Sequence, residues 1–239
     1  MGRLILVRHA QASFLAADYD RLSPLGEQQA RLLGEYWAHR SVAFDRIFSG
    51  PRARQKDTAK IVASAYERGN VRFPDPIVMG EFDEYDGERV LRTSLPQLIE
   101  GSRTIRELHD RFLKSPGPGE QRRSFQRLFE VVIGKWVDGE VVVPGIESWP
   151  EFCARVDRGL SQIVSGAMSN EQVAIFSSGG PIAVAMQRAL NLSPRDALRT
   201  SWMSRNCSYS EFLFSADRFT LSAFNTFPYL DDAELWTYR

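Results

Sequence analysis

The sequence is poor in the residues that build disulfide frameworks and zinc sites. Its 239 residues include two cysteines, Cys153 and Cys207, and three histidines. Two cysteines so far apart argue against both a disulfide scaffold and a zinc site. The first residues, "MGRL", lack the apolar stretch of a secretory signal peptide, and no run approaches the length of a membrane span. We therefore expect a cytoplasmic protein.

The sequence also lacks a net charge, because thirty basic residues balance thirty acidic ones. Without an overall field, nothing draws the chain towards nucleic acid or an anionic membrane surface, and we expect neither partner. Its composition, 43% hydrophobic and 25% charged, is that of an ordinary globular protein. The length predicts one domain over residues 1–239, with room for a large insertion.

Strand and helix patterns alternate along most of the chain. The predicted elements are a strand at 4–7, a helix at about 24–40, a strand at 44–49, helices at 53–68 and about 147–167, a strand at 173–176, a helix from Pro181, and a hairpin around Ala216-Asp217. The composition changes between about 85 and 145, and we interpret that stretch as a helical cap insertion. The alternation predicts a three-layer α/β/α sandwich with a mainly parallel sheet.

Three predicted strands end in residues that suit an anionic ligand. Arg8 and His9 follow the first strand, Arg52 and Arg54 open the helix after the second, and the stretch "SSGG" follows the third. Ligands in such folds bind beyond the carboxyl ends of the strands. Two arginines and a helix N-terminus around one histidine suit a phosphoryl group. Neighbouring guanidinium groups disfavour the imidazolium form, so we expect His9 to stay neutral and nucleophilic.

A proton donor for a leaving oxygen is available in the acidic turn "MGEFDEYDG". It contains Asp83, Glu84 and Asp86, and a carboxyl group there could act as a general acid. An ordinary solvated acidic turn is the alternative interpretation.

Six segments resemble, in order, the motifs of the histidine phosphatase superfamily, which includes the cofactor-dependent phosphoglycerate mutases. "LVRHAQAS" resembles its Arg-His-Gly/Ala signature, "LSPLGEQQA" is similar to "L-T-x-x-G-x-x-Q-A", and "FSGPRARQKDTA" to "S-S-P-x-x-R-A-x-x-T-A". "FDEYDG" resembles the segment of the general acid, "GIESWPEFCARV" the "G-E-S-x-x-x-F-x-x-R" helix, and "VAIFSSGGPI" the motif "V-x-V-S-H-G-G-x-I". Together these segments cover roughly residues 4–85 and 145–230.

The resemblance implies a reaction that needs neither a metal nor a cofactor. His9 would attack a small-molecule or peptide phosphate monoester and form a phosphohistidine, Glu84 would protonate the leaving oxygen, and water would then take the phosphoryl group. The implied phosphate-binding residues are Arg8, Arg54, Ser178 and Gly179. Arg52 falls outside the motif and is interpreted as a solvated charge at a helix start.

The chain departs from the family pattern at the second pocket histidine, which is replaced by Ser178. A serine hydroxyl brings no charge, and charge-assisted hydrogen bonds are the stronger ones, so the replacement would slow the reaction about ten- to thirtyfold if nothing compensates. Leu15 stands where mutases have an asparagine, which favours a phosphatase. A mutase-like phosphotransferase and a phospholigand-binding pseudo-enzyme stay open as alternatives, as do a homodimer and a role for His109 over the pocket.

Overall fold

The structure, a computed structural model, describes residues 1–13, 20–168 and 170–238. Leu15, which bears on the mutase alternative, lies outside the described residues. The chain falls into two compact units, one formed by Met1–Glu84 with Ala154–Arg239 and the other by Tyr85–Cys153. The second unit begins where the cap insertion is predicted and extends past its predicted end at about 145.

The first unit is built on one six-stranded sheet. Its strands are β1 (Gly2–Arg8), β2 (Arg46–Ser49), β3 (Ile77–Val78), β4 (Gln172–Ser177), β5 (Tyr209–Phe214) and β6 (Phe219–Thr226), in the spatial order β3-β2-β4-β1-β5-β6. The pairs β3-β2, β2-β4 and β4-β1 are parallel, whereas β5 runs antiparallel to both β1 and β6. The α/β fold, the mainly parallel sheet and the C-terminal hairpin are therefore confirmed.

Eight α-helices lie within the described residues. They are α1 (Pro24–His39), α2 (Ala53–Arg68), α3 (Gly87–Gly101), α4 (Arg103–Leu113), α5 (Pro118–Val137), α6 (Trp149–Ser165), α7 (Gly179–Leu190) and α8 (Pro194–Met203). α1 begins at the predicted cap, where the Ser23 hydroxyl accepts a hydrogen bond from the Gly26 amide at 3.0 Å. α2 has the predicted bounds. Neither α8 nor the two-residue strand β3 was predicted.

The central strands β1 and β4 are largely buried on both faces, as is typical of a parallel α/β sheet. Alternate residues of β1 point to opposite sides, and Ile5 and Val7 belong to a buried cluster that includes Leu33 of α1 and Val62 of α2. Leu4 and Leu6 face the opposite side and are fully buried, and α7 packs against β1. This packing holds the carboxyl ends of β1, β2 and β4 at one edge of the sheet.

The start of α7 differs from the prediction that the helix begins at Pro181. Ser178 is the N-cap, with extended backbone (φ −127°, ψ 179°), and Gly179 is the first helical residue. A proline is tolerated in the first turn because the amides there have no partner within the helix. The earlier start places the amide of Gly180 in the first turn, where it can bind an acceptor outside the helix.

The second unit is helical and has its own aromatic core. α3, α4 and α5 pack against one another. Trp136 is buried, stacks on Tyr85 with ring centroids 5.1 Å apart, and meets Trp149 edge-on at 5.7 Å. Phe129 is buried as well. No helix in the described ranges is long and apolar enough to span a membrane.

Candidate active site

His9 lies directly beyond the end of β1 and is held there by backbone hydrogen bonds. Its amide donates to the Ser177 carbonyl at 2.8 Å, and its carbonyl accepts from the Cys207 amide at 3.1 Å. These bonds extend the pairing of β1 with its neighbours by one residue. The imidazole is therefore buried, at 5% exposed, on a rigid part of the backbone.

The hydrogen bonds of the imidazole define which nitrogen can react. Nδ1 lies 2.7 Å from the Ala10 carbonyl, which can only accept, so Nδ1 carries the proton. Nε2 accepts a hydrogen bond from Nε of Arg54 at 3.1 Å. The lone pair of His9 is thus on Nε2 and faces the guanidinium group that is expected to bind phosphate.

The surroundings lower the pKa of His9 well below its ordinary value of 6.5. Burial is the largest cause, followed by the charges of Arg54 and Arg8, and the bond to Ala10 opposes them in part. The sequence predicts the same direction from the two arginines, whereas the structure gives burial the larger share. A neutral imidazole near neutral pH is the form that can act as a nucleophile.

Arg54 is fixed by Asp20, a carboxylate that was not predicted from the sequence. Its Nη1 pairs with Oδ1 of Asp20 at 2.7 Å, and the other oxygen of Asp20 accepts from the Ala53 amide at 2.7 Å. Asp20 therefore binds both the guanidinium and the first turn of α2, where a negative charge is favoured. No periodicity or motif marks Asp20, because its partners lie more than thirty residues away along the chain.

Arg8 lies beside His9 and points its guanidinium group at backbone carbonyls. Nη1 donates to the carbonyls of Ser201 and Ser204 near the end of α8, and Nη2 donates to that of Tyr238 at 2.7 Å. Carbonyls at a helix C-terminus are a favourable environment for a cation. Arg8 contributes charge to the His9 site, and its role as a phosphate ligand stays a prediction.

The segment formed by residues 235–238, the C-terminal segment, is tied to the neighbourhood of His9. The amide group of Gln29 donates to the Leu235 carbonyl at 2.7 Å and to the Thr237 hydroxyl at 3.0 Å. Thr237 in turn donates to Oδ1 of Asn206, whose Nδ2 donates to the His9 carbonyl at 3.4 Å. The C-terminal segment thus supports the backbone on which His9 stands.

Glu84 is placed at the start of α7. Its Oε2 accepts a hydrogen bond from the Gly180 amide at 3.1 Å. Arg52 steadies the same turn, since its Nε pairs with Asp83 at 2.6 Å and its Nη2 donates to the Glu84 carbonyl at 3.3 Å. Arg52 is therefore paired rather than simply solvated, and Glu84 is the carboxylate of the acidic turn that reaches the α7 terminus.

Ser178 and Gly179 form the entry to α7 next to His9. Ser178 is fully buried, and its Oγ accepts from Nε2 of Gln55 at 2.8 Å. A Cβ atom on Gly179 would lie 3.3 Å from both the side chain and the carbonyl of Ser201, so the helices α7 and α8 approach closely there. The predicted phosphate role of both residues is not tested by these contacts.

His109 lies in α4 of the second unit and is half-buried.

In the described ranges, no three histidine, cysteine, aspartate or glutamate side chains lie close enough together to hold a metal ion. The chemistry that the first unit brings together is therefore a neutral nucleophilic imidazole, two buried guanidinium groups and a carboxylate at a helix N-terminus. Such a set can bind an anion and transfer a group between oxygen and nitrogen.

The profile of the histidine phosphatase superfamily (branch 1) matches residues 4–139 and 119–226 of the chain. This match covers the segments that resemble the motifs of the superfamily and confirms the resemblance. No curated protein matches the chain by sequence.

Solved structures of similar fold cover nearly the whole chain. A phosphoserine phosphatase of Entamoeba histolytica, in complex with 3-phosphoglyceric acid, is 19% identical and covers 96% of this chain and 100% of its own, with a TM-score of 0.64. A mycobacterial glucosyl-3-phosphoglycerate phosphatase is 19% identical over 95% and 99% of the two chains (TM-score 0.58). A phosphoglycerate mutase of Bacillus anthracis is 14% identical over 96% and 95% (TM-score 0.59). At these identities the likeness establishes the fold.

Proposed function

Because the chain belongs to the histidine phosphatase superfamily, we propose that it is a metal-independent phosphatase that hydrolyses phosphate monoesters through a phosphohistidine on His9. The orientation of the His9 imidazole carries the proposal. Nδ1 is tied to the Ala10 carbonyl, and the lone pair of Nε2 faces Nε of Arg54 at 3.1 Å. A phosphoryl group bound by Arg54 would lie next to the only nitrogen of His9 that can attack it.

In the first step, Nε2 of His9 attacks phosphorus in line with the ester oxygen. A phosphorus–nitrogen bond forms, the phosphorus–oxygen bond breaks, and the carboxyl group of Glu84 gives its proton to the leaving oxygen. The hydrogen bond from Gly180 holds that carboxyl group in place. General acid catalysis of this kind contributes about 10²- to 10⁴-fold, most for a poor leaving group.

In the second step, water attacks the phosphohistidine. The phosphorus–nitrogen bond breaks, inorganic phosphate is released, and the proton lost by the water returns to Glu84. The low pKa of His9 helps here, because a neutral imidazole is the product of the cleavage.

The charge on the transferred group is balanced by fixed cations and dipoles. Arg54 and Arg8 supply buried positive charge, and Ser178 with the amide of Gly179 supplies neutral donors at the N-terminus of α7. Preorganised donors in a buried site stabilise charge more strongly than donors in water. The proposed substrate is a small-molecule or peptide phosphate monoester, in keeping with the phosphoserine and glucosyl-3-phosphoglycerate phosphatases of similar fold.

A trapping experiment tests the proposal. Wild type and His9→Ala are incubated with a labelled aryl phosphate, quenched in alkali and analysed for an acid-labile protein adduct. Wild type is expected to form the adduct and release phosphate, and His9→Ala to do neither. No adduct and no turnover in wild type across a broad pH range would overturn the proposal.

Two further measurements on the wild-type protein distinguish the mutase-like phosphotransferase from the phospholigand-binding pseudo-enzyme. Interconversion of phosphoglycerates in the presence of a bisphosphate primer would assign a mutase-like phosphotransferase. Tight binding of phosphate without any hydrolysis would assign a phospholigand-binding pseudo-enzyme.

A further inference from the structure

Gln55 is a buried polar side chain next to Arg54 that the mechanism above does not use. It lies in the first turn of α2 and is fully buried. Its Nε2 donates to Oγ of Ser178 at 2.8 Å and to the Phe82 carbonyl at 3.2 Å, and its Oε1 accepts from the Arg52 amide at 3.0 Å. A buried carboxamide with three partners is held in one orientation.

These partners determine how Ser178 uses its hydroxyl. The Phe82 carbonyl requires a donor and the Arg52 amide requires an acceptor, so the nitrogen of the Gln55 carboxamide is the atom facing Ser178. An amide nitrogen only donates, and Oγ of Ser178 must accept from it. The hydroxyl proton then points away from Gln55, which leaves the hydroxyl able to donate to another group.

Ser178 lies between two residues that belong to the site. The carbonyl of Ser177 before it binds the His9 amide, and the amide of Gly180 after it binds Glu84. The hydroxyl of Ser178 therefore lies on the segment that contacts both His9, the proposed nucleophile, and Glu84, the proposed general acid.

Gly50 accommodates the same carboxamide. A Cβ atom at Gly50 would lie 2.2 Å from Oε1 of Gln55 and 2.5 Å from the Phe82 carbonyl, too close for any side chain. The motifs that this chain resembles have serine, alanine and histidine at the positions of Gly50, Gln55 and Ser178. These three residues lie against one another. Gln55 is larger than the alanine of the motif, whereas Gly50 and Ser178 are smaller than the serine and histidine of the motifs.

We propose that Gln55 is a positioning residue that directs the hydroxyl of Ser178 to the transferred phosphoryl group, with Gly50, Gln55 and Ser178 acting as one interlocking unit in place of a second histidine. The inference rests on the proposed phosphatase function. An uncompensated serine is expected to slow the reaction about ten- to thirtyfold. The fixed direction of the Ser178 hydroxyl would offset part of that loss.

A double-mutant cycle tests the coupling. Wild type, Gln55→Ala, Ser178→Ala and the double variant are compared for kcat and KM on an aryl phosphate, for the affinity of inorganic phosphate by calorimetry, and for melting temperature. Loss of one oriented neutral hydrogen bond lowers kcat about tenfold with a smaller change in KM. Each single variant is expected to show this loss, and the double variant to show hardly more than either. Gln162→Ala, at an exposed position of α6, is the matched control and should behave as wild type.

A second cycle tests whether the unit excludes an imidazole. Ser178→His alone should lose activity because Gln55 occupies the space, and Gln55→Ala with Ser178→His should recover at least tenfold of it. His9, Arg54 and Glu84 are present in all these proteins, so a new limb between pH 5 and 8 in kcat/KM of the double variant would come from the introduced imidazole. A merely structural role of Gln55 would not create that limb.

The outcomes separate the inference from the function on which it rests. Independent, multiplying losses in the first cycle, for both kcat and phosphate affinity, would overturn the inference while turnover upheld the proposed function. A wild type that binds phosphate without turnover, but with coupled losses of phosphate affinity, would overturn the proposed function and leave the positioning of Ser178 supported.

Discussion

The carboxyl end of β1 and the first turn of α7 serve the same site but handle charge in opposite ways. At β1, His9 is surrounded by the buried cations Arg8 and Arg54, which lower its pKa together with burial. At α7, Ser178 is neutral and the helix terminus binds the carboxylate of Glu84. Under the proposed mechanism the two regions would have different tasks, because the end of β1 would supply the nucleophile and positive charge, and Glu84 at the start of α7 would supply the proton.

The α7 side is tested most strongly by Glu84→Gln, which keeps the shape of the side chain but removes the acid. We expect kcat on an alkyl phosphate to fall about 10²- to 10⁴-fold. For an aryl phosphate whose phenol leaves without protonation, the loss should be much smaller. Steady-state kinetics on both substrates measures the ratio.

Glu81→Gln, in the same acidic turn, is the matched control and should leave both rates near those of wild type. If Glu84→Gln lowered kcat equally on the two substrates, Glu84 would not be the proton donor.

The β1 side is tested by Arg54→Lys, which keeps the charge and loses the planar fork. A lysine cannot bind His9 and Asp20 from two nitrogens at once, so kcat/KM should fall about 10²-fold, the scale for losing one preorganised donor. Arg68→Lys, at the exposed end of α2, is the control and should have no effect. If Arg54→Lys kept an activity close to that of wild type, a positive charge at position 54 would be enough for the reaction without the planar guanidinium group.

A smaller effect is expected at Asp20, which pairs with Arg54 and makes no hydrogen bond to His9 among the described residues. Asp20→Asn keeps a side chain of the same size and weakens a partly exposed ion pair, so we expect kcat/KM to fall about fivefold. Asp57→Asn, in an exposed pair on α2, provides the comparison. A loss as large as that of Arg54→Lys would mean that Asp20 takes part in the reaction directly.

The pH dependence of stability isolates the burial of His9. Its folded pKa is lowered, so below the ordinary value of 6.5 the unfolded chain takes up a proton that the folded chain does not. The contribution of His9 to the free energy of unfolding is present above that pH and is lost, by up to about 1.4 kcal/mol per pH unit, as the pH falls towards the folded pKa.

Urea unfolding of wild type and His9→Gln at several pH values between 7 and 5 measures this contribution. The free energy of unfolding of wild type should fall relative to that of His9→Gln as the pH falls. Parallel curves would contradict the low pKa.

The parts of the fold that follow local rules could be predicted from the sequence. The Ser23 cap and the proline after it mark the start of α1, and the strand ends alone place His9 and Arg54 at one edge of the sheet. β3 could not be predicted in this way, because a strand of two exposed residues is defined only by its pairing with β2.

The contacts that complete the candidate site are less visible, because they join distant segments. Gln55 and Ser178 are 123 positions apart, and Asp20 and Arg54 are 34 apart. Neither hydrophobic periodicity nor motif spacing predicts hydrogen bonds between residues so distant in the sequence. The same holds for Arg8, whose placement at the end of a strand is evident in the sequence while its carbonyl partners, Ser201, Ser204 and Tyr238, are not.

The C-terminal segment has a practical consequence for anyone who prepares this protein. Three of its four residues, Leu235, Thr237 and Tyr238, bind the side chains of Gln29, Asn206 and Arg8, which lie close to the backbone of His9. A variant that lacks residues 235–238 would lose these hydrogen bonds and disturb the surroundings of His9 without touching a motif. A mass spectrum that shows residues 235–238 to be present in the assayed protein therefore makes a measured rate interpretable.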